Sequence, residues 1–144
     1  MSASEQKIEK FESYSQARQD YFVFLLLKLA NEYPSDHQGT FLDVGAHDPV
    51  HISNTFALEN LGWRGLLVEY EQKFAPMYRE KRQSPFVIAD AITLDWQKTL
   101  EANGFEKNRA IDYLSFDIDN ASLPALRNFP LEDYRFKVMT VEHD

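Results

Sequence analysis

Phe41-Leu-Asp-Val-Gly-Ala-His-Asp48 and Gly65-Leu-Leu-Val-Glu69 are the two stretches of the sequence that decide its fold. Each is a short apolar run of the length of a buried strand, and each runs into an acid. The segment 53–61 between them is helix-like, and Gly62 follows it as a C-terminal cap would. This pattern predicts the first strand–loop–helix–strand unit of a doubly wound α/β domain.

The rest of the chain continues the same alternation. Further strands are predicted over 86–89, 111–116 and 136–141, and further helices over 16–33, 74–83, 95–103 and 123–128. The alternation predicts a mainly parallel, Rossmann-like sheet of about five strands with helices on both faces. We expect one domain over 15–144, preceded by a polar N-terminal arm over 1–14. The first helix is apolar nearly all round, which predicts that it is well buried, and Trp63 and Trp96 are expected in the core.

The composition narrows the classes of partner. The 144 residues include 15 Lys+Arg and 23 Asp+Glu, a net charge of -8. This charge repels nucleic acid and anionic lipid, so neither is an expected partner. The chain has no cysteine, which fits a reducing, cytoplasmic location. The polar residues 1–10 are unlike a signal peptide, and the longest apolar run, 21–27, is far shorter than the roughly 20 residues of a membrane span.

Acids mark the end of every predicted strand. In open parallel sheets, ligands bind at the carboxyl ends of the strands, where the strand order reverses. The acids at or just beyond these ends are Asp43, Glu69, Asp90, Asp117 and Glu142. One such acid is as often a helix cap or turn residue as a ligand. Five together predict a site, in which Glu69 can accept from both hydroxyls of a ribose and Asp90 can accept from an adenine amino group.

The loop after the first strand distinguishes among nucleotide cofactors. A dinucleotide site needs Gly-x-Gly-x-x-Gly, but only Gly45 is present here, and Pro49 has no N–H to donate. Asp43 and Asp48 would repel a pyrophosphate. They suit a cofactor that carries an ammonium and a sulfonium group. The electrostatics therefore favour S-adenosylmethionine over NAD or ATP.

Several different short motifs are spread along most of the chain. They are the stretch 41–48, Ser53-Asn-Thr55, Leu58-Glu59, Gly62-Trp-Arg-Gly65, Val68-Glu69, Ser15-Gln16 with Gln19-Asp20, the stretch 112–119, and Thr140-Val-Glu-His-Asp144. Together, over roughly 14–144, they resemble the FkbM family of S-adenosylmethionine-dependent methyltransferases. The resemblance implies a class I methyltransferase fold that methylates a hydroxyl of a small molecule or sugar. The chain departs from the family pattern at Pro49, where Gly is frequent, and at Asp119-Asn120, where Glu-Gly is frequent.

The resemblance also implies roles for particular residues. By position, Asp43, Gly45 and Glu69 would hold the methionine part and the ribose, and Asp90 with Ala91 would face the adenine. Ser15, Gln16 and Asp20 would close over the cofactor. The full predicted cofactor-binding set is Ser15, Gln16, Asp20, Asp43, Gly45, Ala46, His47, Glu69, Tyr70, Asp90 and Ala91.

Methyl transfer from a sulfonium is a direct displacement, so the protein has to align the acceptor and remove its proton. The predicted catalytic residues are His143, whose pKa can lie near neutral, and Asp117. Asp117, Asp119, His143 and Asp144 can also converge, and carboxylates so close need a cation or a shared proton. Mg²⁺ is the metal that oxygen ligands of this kind suit, and a solvated acidic rim is the alternative.

The chain ends at Asp144, directly after the fifth predicted strand, whereas the family continues into a segment that completes the sheet and helps form the acceptor pocket. We therefore expect either a shortened chain or a strand-five edge that pairs with a partner, such as a second copy. The first functional hypothesis is a methyltransferase acting on an oxygen of a small molecule or glycan. The second is a shortened binding or interaction module without activity. An NAD-dependent oxidoreductase is the third, and the missing glycines disfavour it.

Overall fold

The fold is that of a computed structural model, which describes residues 11–30 and 38–142. The helices and strands, in chain order, are α1 (Gln19–Leu29), β1 (Thr40–Val44), α2 (Phe56–Asn60), β2 (Arg64–Glu69), α3 (Ala75–Lys81), β3 (Phe86–Ile88), α4 (Trp96–Ala102), β4 (Ile111–Phe116), α5 (Ser122–Asn128) and β5 (Phe136–Val141). Short 3-10 turns, Gln72–Phe74 and Asp119–Ala121, lead into α3 and α5.

The strands form one parallel sheet in the order β3-β2-β1-β4-β5. From β1 the chain moves outward through β2 to β3, and then returns to place β4 and β5 on the other side. The strand order therefore reverses between β1 and β4, which is where sheets of this class bind ligands. The predicted doubly wound, Rossmann-like α/β fold is confirmed.

Helices cover both faces of the sheet because successive residues of a strand point to opposite sides. Phe41 and Leu67 join a buried cluster that α1, α2 and α3 complete, whereas Leu42 and Leu66 join the cluster on the other face with α4 and α5. Every residue of β4 is buried, as expected for a central strand covered on both faces. The sheet is thus the shared wall of two apolar layers.

The burial predicted for the first helix is partly wrong. The side chains that α1 buries are Asp20, Val23, Phe24 and Leu27. Phe22, Leu26 and Leu29 are instead exposed by 55%, 41% and 80%. A helix that is apolar nearly all round carries no sequence signal for which face meets the sheet, and α1 turns its 23–27 stripe to the cluster that contains Phe41. The predicted residues 31–33 lie outside the described ranges.

The predicted core tryptophans are confirmed, because Trp63 and Trp96 are both buried. Gly62 follows α2 with a φ of 97°, a left-handed conformation that suits the glycine predicted to end this helix. Residues 1–10 of the predicted arm lie outside the described ranges. Phe11 and Tyr14 at the end of that arm pack on aromatic rings of α1 and α2. The ring centroids of Phe11 and Phe24 are 5.1 Å apart, and those of Tyr14 and Phe56 are 4.9 Å apart.

The outer strand β5 leaves Met139 and Val141 substantially exposed. Pairing of this edge with a second copy stays a prediction. Within the described part of the chain, no helix combines the length and the apolar character needed to cross a membrane.

Leu114→Ala tests the two-layer core. Leu114 is fully buried in β4, and we expect the variant to lose about 2–5 kcal/mol of unfolding free energy in urea titrations, because the cavity cannot fully collapse. Leu29→Ala is the matched control, since the same change at an exposed site should cost less than about 0.5 kcal/mol. Equal losses in the two variants would contradict this assignment of the core.

Candidate functional site

A cleft of about 490 Å³ opens at the carboxyl ends of the strands, where the strand order reverses. Its volume lies within the roughly 300–1,000 Å³ that cofactor sites occupy. Most of the predicted cofactor-binding set lines it, namely Gln16, Asp43, Gly45, Ala46, His47, Glu69, Tyr70, Asp90 and Ala91. Residues that are far apart in sequence thus meet around one cavity.

Ser15 and Asp20 do not line the cleft but hold the segment that does. Asp20 is fully buried and accepts hydrogen bonds from the Ser13 hydroxyl at 2.5 Å and the Tyr14 N–H at 2.8 Å. The Ser15 hydroxyl accepts from the Asp20 N–H at 3.1 Å and donates to the Ser53 carbonyl at 3.3 Å. These bonds fasten the segment that carries Gln16 to the loop after β1.

Gly45 allows the loop after β1 to touch the loop after β4. Its φ is 80°, and a Cβ built on it would lie 1.9 Å from the Asp117 carbonyl oxygen, so a side chain does not fit here. Three other cleft residues, His47, Ile52 and Asp119, also have positive φ angles. Such conformations are rare outside glycine, especially for β-branched Ile52, and they cluster at functional sites.

Glu69 closes the cleft at the end of β2, and its carboxylate is already largely engaged. One oxygen accepts the His47 N–H at 2.8 Å, and the other accepts the N–H groups of Tyr70 and Glu71, both at 2.9 Å. A carboxylate offers about four acceptor positions, so about one remains. In this conformation Glu69 can accept from one ribose hydroxyl rather than from both.

Asp43 forms the floor of the cleft. Its side chain is only 2% exposed, and the Thr55 hydroxyl donates to its Oδ2 at 2.6 Å. Burial raises the pKa of Asp43, while the Thr55 bond and the charge of Arg82 oppose that rise. Asp43 is therefore an acid whose ionisation depends on the donors that the protein provides.

Asp117, Asp119 and Glu142 bring carboxylate oxygens within 4.8 Å of one another. Burial raises the pKa of Asp117 to about 7, and the hydrogen bond and negative charge of Glu142 add to the rise. Asp117 therefore exchanges a proton near neutral pH and shares it with Glu142. The other residues predicted for catalysis and metal binding here, His143 and Asp144, lie outside the described residues.

A side pocket of about 190 Å³ adjoins the cleft between the start of α1 and the end of β5. It shares Gln16, Asn54, Asp117 and Glu142 with the cleft, and adds Gln19, Thr140 and Val141. Asn54 donates to the Ser115 hydroxyl at 3.0 Å, which fixes the direction of its amide. Side-chain amides beside a proton-accepting acid can orient and deprotonate a small polar group.

Sequence reasoning assigns no individual role to Asn54 and Glu142, which line the cleft, or to Arg82, which lies behind it. Glu142 is one of the strand-end acids, and it meets Asp117 because β5 lies next to β4 in the parallel sheet. Asn54 belongs to a motif that the resemblance used, with no role attached. No sequence signal marks Arg82, which stands between charged and polar neighbours in 79–83 and looks like a surface residue.

The charge of the cleft is strongly negative. Its acidic lining residues are Asp43, Glu69, Glu71, Asp90, Asp117, Asp119 and Glu142. Among the residues that the structure describes, no lysine or arginine lines it. This lining attracts cations and repels phosphates, as expected from the loop after β1.

No protein-family model, no curated protein and no solved structure matches this chain significantly. The resemblance to the FkbM family therefore stays a prediction.

Asp117→Asn tests the shared proton. The folded protein holds this proton more tightly than the unfolded chain, so the stability that it contributes is lost as the pH rises from about 4 to about 7. We expect the difference in unfolding free energy, variant minus original protein, to be about 1–2 kcal/mol larger at pH 8 than at pH 5. This range is reduced because Asp117 is partly exposed. Urea unfolding at both pH values measures the difference.

Asp133→Asn serves as the control, because Asp133 is an exposed acid remote from the cleft that pairs with Lys107 at 3.4 Å. It should follow the pH dependence of the original protein. If the Asp117 variant does the same, Asp117 does not hold a proton near neutral pH.

Proposed function

We propose that this chain is an S-adenosylmethionine-dependent methyltransferase that acts on an oxygen of a small molecule or glycan. The observation that carries the proposal is the acidic cleft at the reversal of strand order, which pairs a single glycine turn with a lining free of lysine and arginine among the described residues. Such a lining suits a cationic, phosphate-free nucleoside cofactor. The resemblance to the FkbM family supports the same assignment.

The residues of the cleft fit the parts of this cofactor. Asp43 offers a buried negative charge to an ammonium group, and Glu69 keeps an acceptor position for a ribose hydroxyl. One oxygen of Asp90 accepts the Ile92 N–H at 2.9 Å, which leaves the other for an adenine amino group. Ala91, which also lines the cleft, would offer a small side chain to the adenine ring.

When bound, S-adenosylmethionine supplies a methyl group on a positively charged sulfur. The chain's own task is then to remove the proton of the acceptor hydroxyl, and Asp117 can accept it because its pKa is about 7. Gln16 and Asn54 lie where the cleft meets the side pocket and can orient the acceptor. His143, the other predicted base, stays a prediction.

A binding module without activity is the second candidate. The observation that favours it is the carboxylate of Glu69, which three backbone N–H groups already engage. A cofactor that uses this acid in the usual way would have to displace one of them. An NAD-dependent oxidoreductase is disfavoured by the acidic lining of the cleft, which repels a pyrophosphate.

Thermal and urea unfolding with added ligand test the proposal. S-adenosylmethionine or S-adenosylhomocysteine at about 100 times its Kd should stabilise the protein by about 2.7 kcal/mol, and NAD should not. We expect Glu69→Gln to reduce this stabilisation because it removes the negative charge next to the ribose position. Glu80→Gln, at an exposed site on α3, is the control. No stabilisation by either adenosyl compound at millimolar concentration would refute the proposal.

Mg²⁺ is the second cofactor of the proposal, because Asp117, Asp119 and Glu142 provide the oxygen ligands that it prefers. It competes with the shared proton for the same oxygens. We therefore expect Mg²⁺ to stabilise the protein at pH 8, where Asp117 is mostly ionised, more than at pH 6, and Asp117→Asn to abolish the difference. If Mg²⁺ has no effect at either pH, these three acids do not bind Mg²⁺. That outcome leaves the shared proton of Asp117 unaffected.

A further inference from the structure

We infer that Arg82 is a positioning residue of the cleft, which acts through the hydroxyl of Thr55 to keep Asp43 ionised and oriented as the acceptor for a cationic ligand. The inference deepens the proposed function, since the ammonium group of the cofactor is the cation that Asp43 would hold. Arg82 itself does not line the cleft.

Arg82 is buried at the end of α3, with a side chain that is 0% exposed. Arginine is almost never buried to this degree unless it is paired. Glu59 of α2 provides the pairing, because its two oxygens accept from Arg82 Nε at 3.1 Å and Nη2 at 3.3 Å. The same carboxylate also accepts the N–H groups of Gln83 and Ser84, so both partners of this ion pair are held in place.

The guanidinium directs its other N–H groups at the loop that follows β1. Nη1 donates to the Pro49 carbonyl at 3.2 Å and to the Ser53 hydroxyl at 3.4 Å, and Nη2 donates to the Thr55 hydroxyl at 3.0 Å. A guanidinium has five N–H groups, and the bonds to Glu59 and to this loop use all of them. Part of the charge of Arg82 therefore faces the wall of the cleft.

The hydroxyl of Thr55 turns this contact into a directional chain. A hydroxyl has one hydrogen, and Thr55 already accepts a hydrogen bond from Arg82, so its own hydrogen points to Asp43 Oδ2 at 2.6 Å. The order of donation is thus Arg82 to Thr55 to Asp43. A carboxylate oxygen that accepts such a bond is favoured in its ionised form.

Asp43 needs this support because its other surroundings mostly oppose its charge. Burial raises its pKa most, and Glu69 on β2 raises it further, whereas the Ser115 hydroxyl on β4 lowers it. Its charge also acts on Tyr78 of α3, Tyr113 of β4 and Asp117 after β4, all of whose pKa values it helps to raise. A protonated Asp43 would no longer attract a cation, so the floor of the cleft can bind a cation only when this acid is ionised.

A purely structural role for Arg82 predicts something different. If the guanidinium only fastened α3 to α2 and the loop, its loss would lower stability and weaken ligand binding by the same factor at every pH. If it also supports the charge of Asp43 through Thr55, loss of the guanidinium, like loss of the Thr55 hydroxyl, should weaken cation binding most at low pH. The two roles can therefore be separated by a pH profile.

Thr55→Val is the decisive variant, because it removes the hydroxyl, keeps the side-chain volume and leaves the Arg82–Glu59 pair in place. We expect the infrared carboxyl titration of Asp43, assigned by its absence in Asp43→Asn, to move to higher pH. Binding of S-adenosylmethionine should weaken about tenfold or more at pH 6 and recover towards the original affinity at pH 7.5, where the ammonium group of the ligand is still mostly protonated, since a hydrogen bond to a charged group is lost.

Two further variants complete the test. Thr55→Ser keeps the hydroxyl and should preserve both the titration and the affinity. Arg79→Gln removes an exposed positive charge from the same helix and should change neither. Arg82→Lys keeps the charge but loses the planar group, so we expect an intermediate shift of the Asp43 titration. This shift is measured on the folded fraction of the variant.

An unchanged Asp43 titration in Thr55→Val, or a loss of affinity that is equal at pH 6 and pH 7.5, would overturn the inference and leave Arg82 as a structural support. Failure of the proposed function looks different. In that case the original protein does not bind S-adenosylmethionine at any pH, while the infrared titration still decides whether Thr55 and Arg82 keep Asp43 ionised.

Discussion

Carboxylates that are buried at the carboxyl ends of parallel strands must each be given hydrogen-bond donors or a proton, and much of this structure serves that requirement. Glu69 receives three backbone N–H groups from the loops that flank it. Asp43 receives the hydroxyl of Thr55, which Arg82 orients. Among residues 11–30 and 38–142, no comparable set of donors meets Asp117, and burial together with the hydrogen bond and charge of Glu142 raises its pKa to about 7.

These three solutions divide the cleft into parts with different chemistry. Around Asp43 and Glu69, hydrogen-bond donors hold the carboxyl groups in place, which suits the proposed binding of a cation and a ribose. Around Asp117 and the side pocket, the same kind of side chain is free to exchange a proton near neutral pH. This division suits the proposed function, in which the cleft holds a positively charged cofactor and also deprotonates an acceptor.

The loop between β1 and α2 connects the two parts. Gly45 at its start touches the Asp117 carbonyl region, Ile52 and Asn54 line the cleft, and Thr55 at its end reaches Asp43. The buried pair of Arg82 and Glu59 holds this loop on the side that faces away from the cleft. Burying the two charges costs desolvation free energy, which only a complete set of hydrogen bonds can offset. The buried ion pair thereby acts on the shape of the cleft as well as on the charge within it.

The sequence by itself determined the alternation of strands and helices, the strand ends at which acids collect, and the glycine turn after β1, because short apolar runs, turn residues and strand length are local properties. It also predicted most of the cleft lining, since parallel strands must all end at the same edge. It could not select the buried face of α1, whose apolar residues surround the helix, and it could not reveal Arg82. Only the tertiary structure decided these, because the face of a helix and the partner of a buried charge depend on which distant side chains the fold brings within contact.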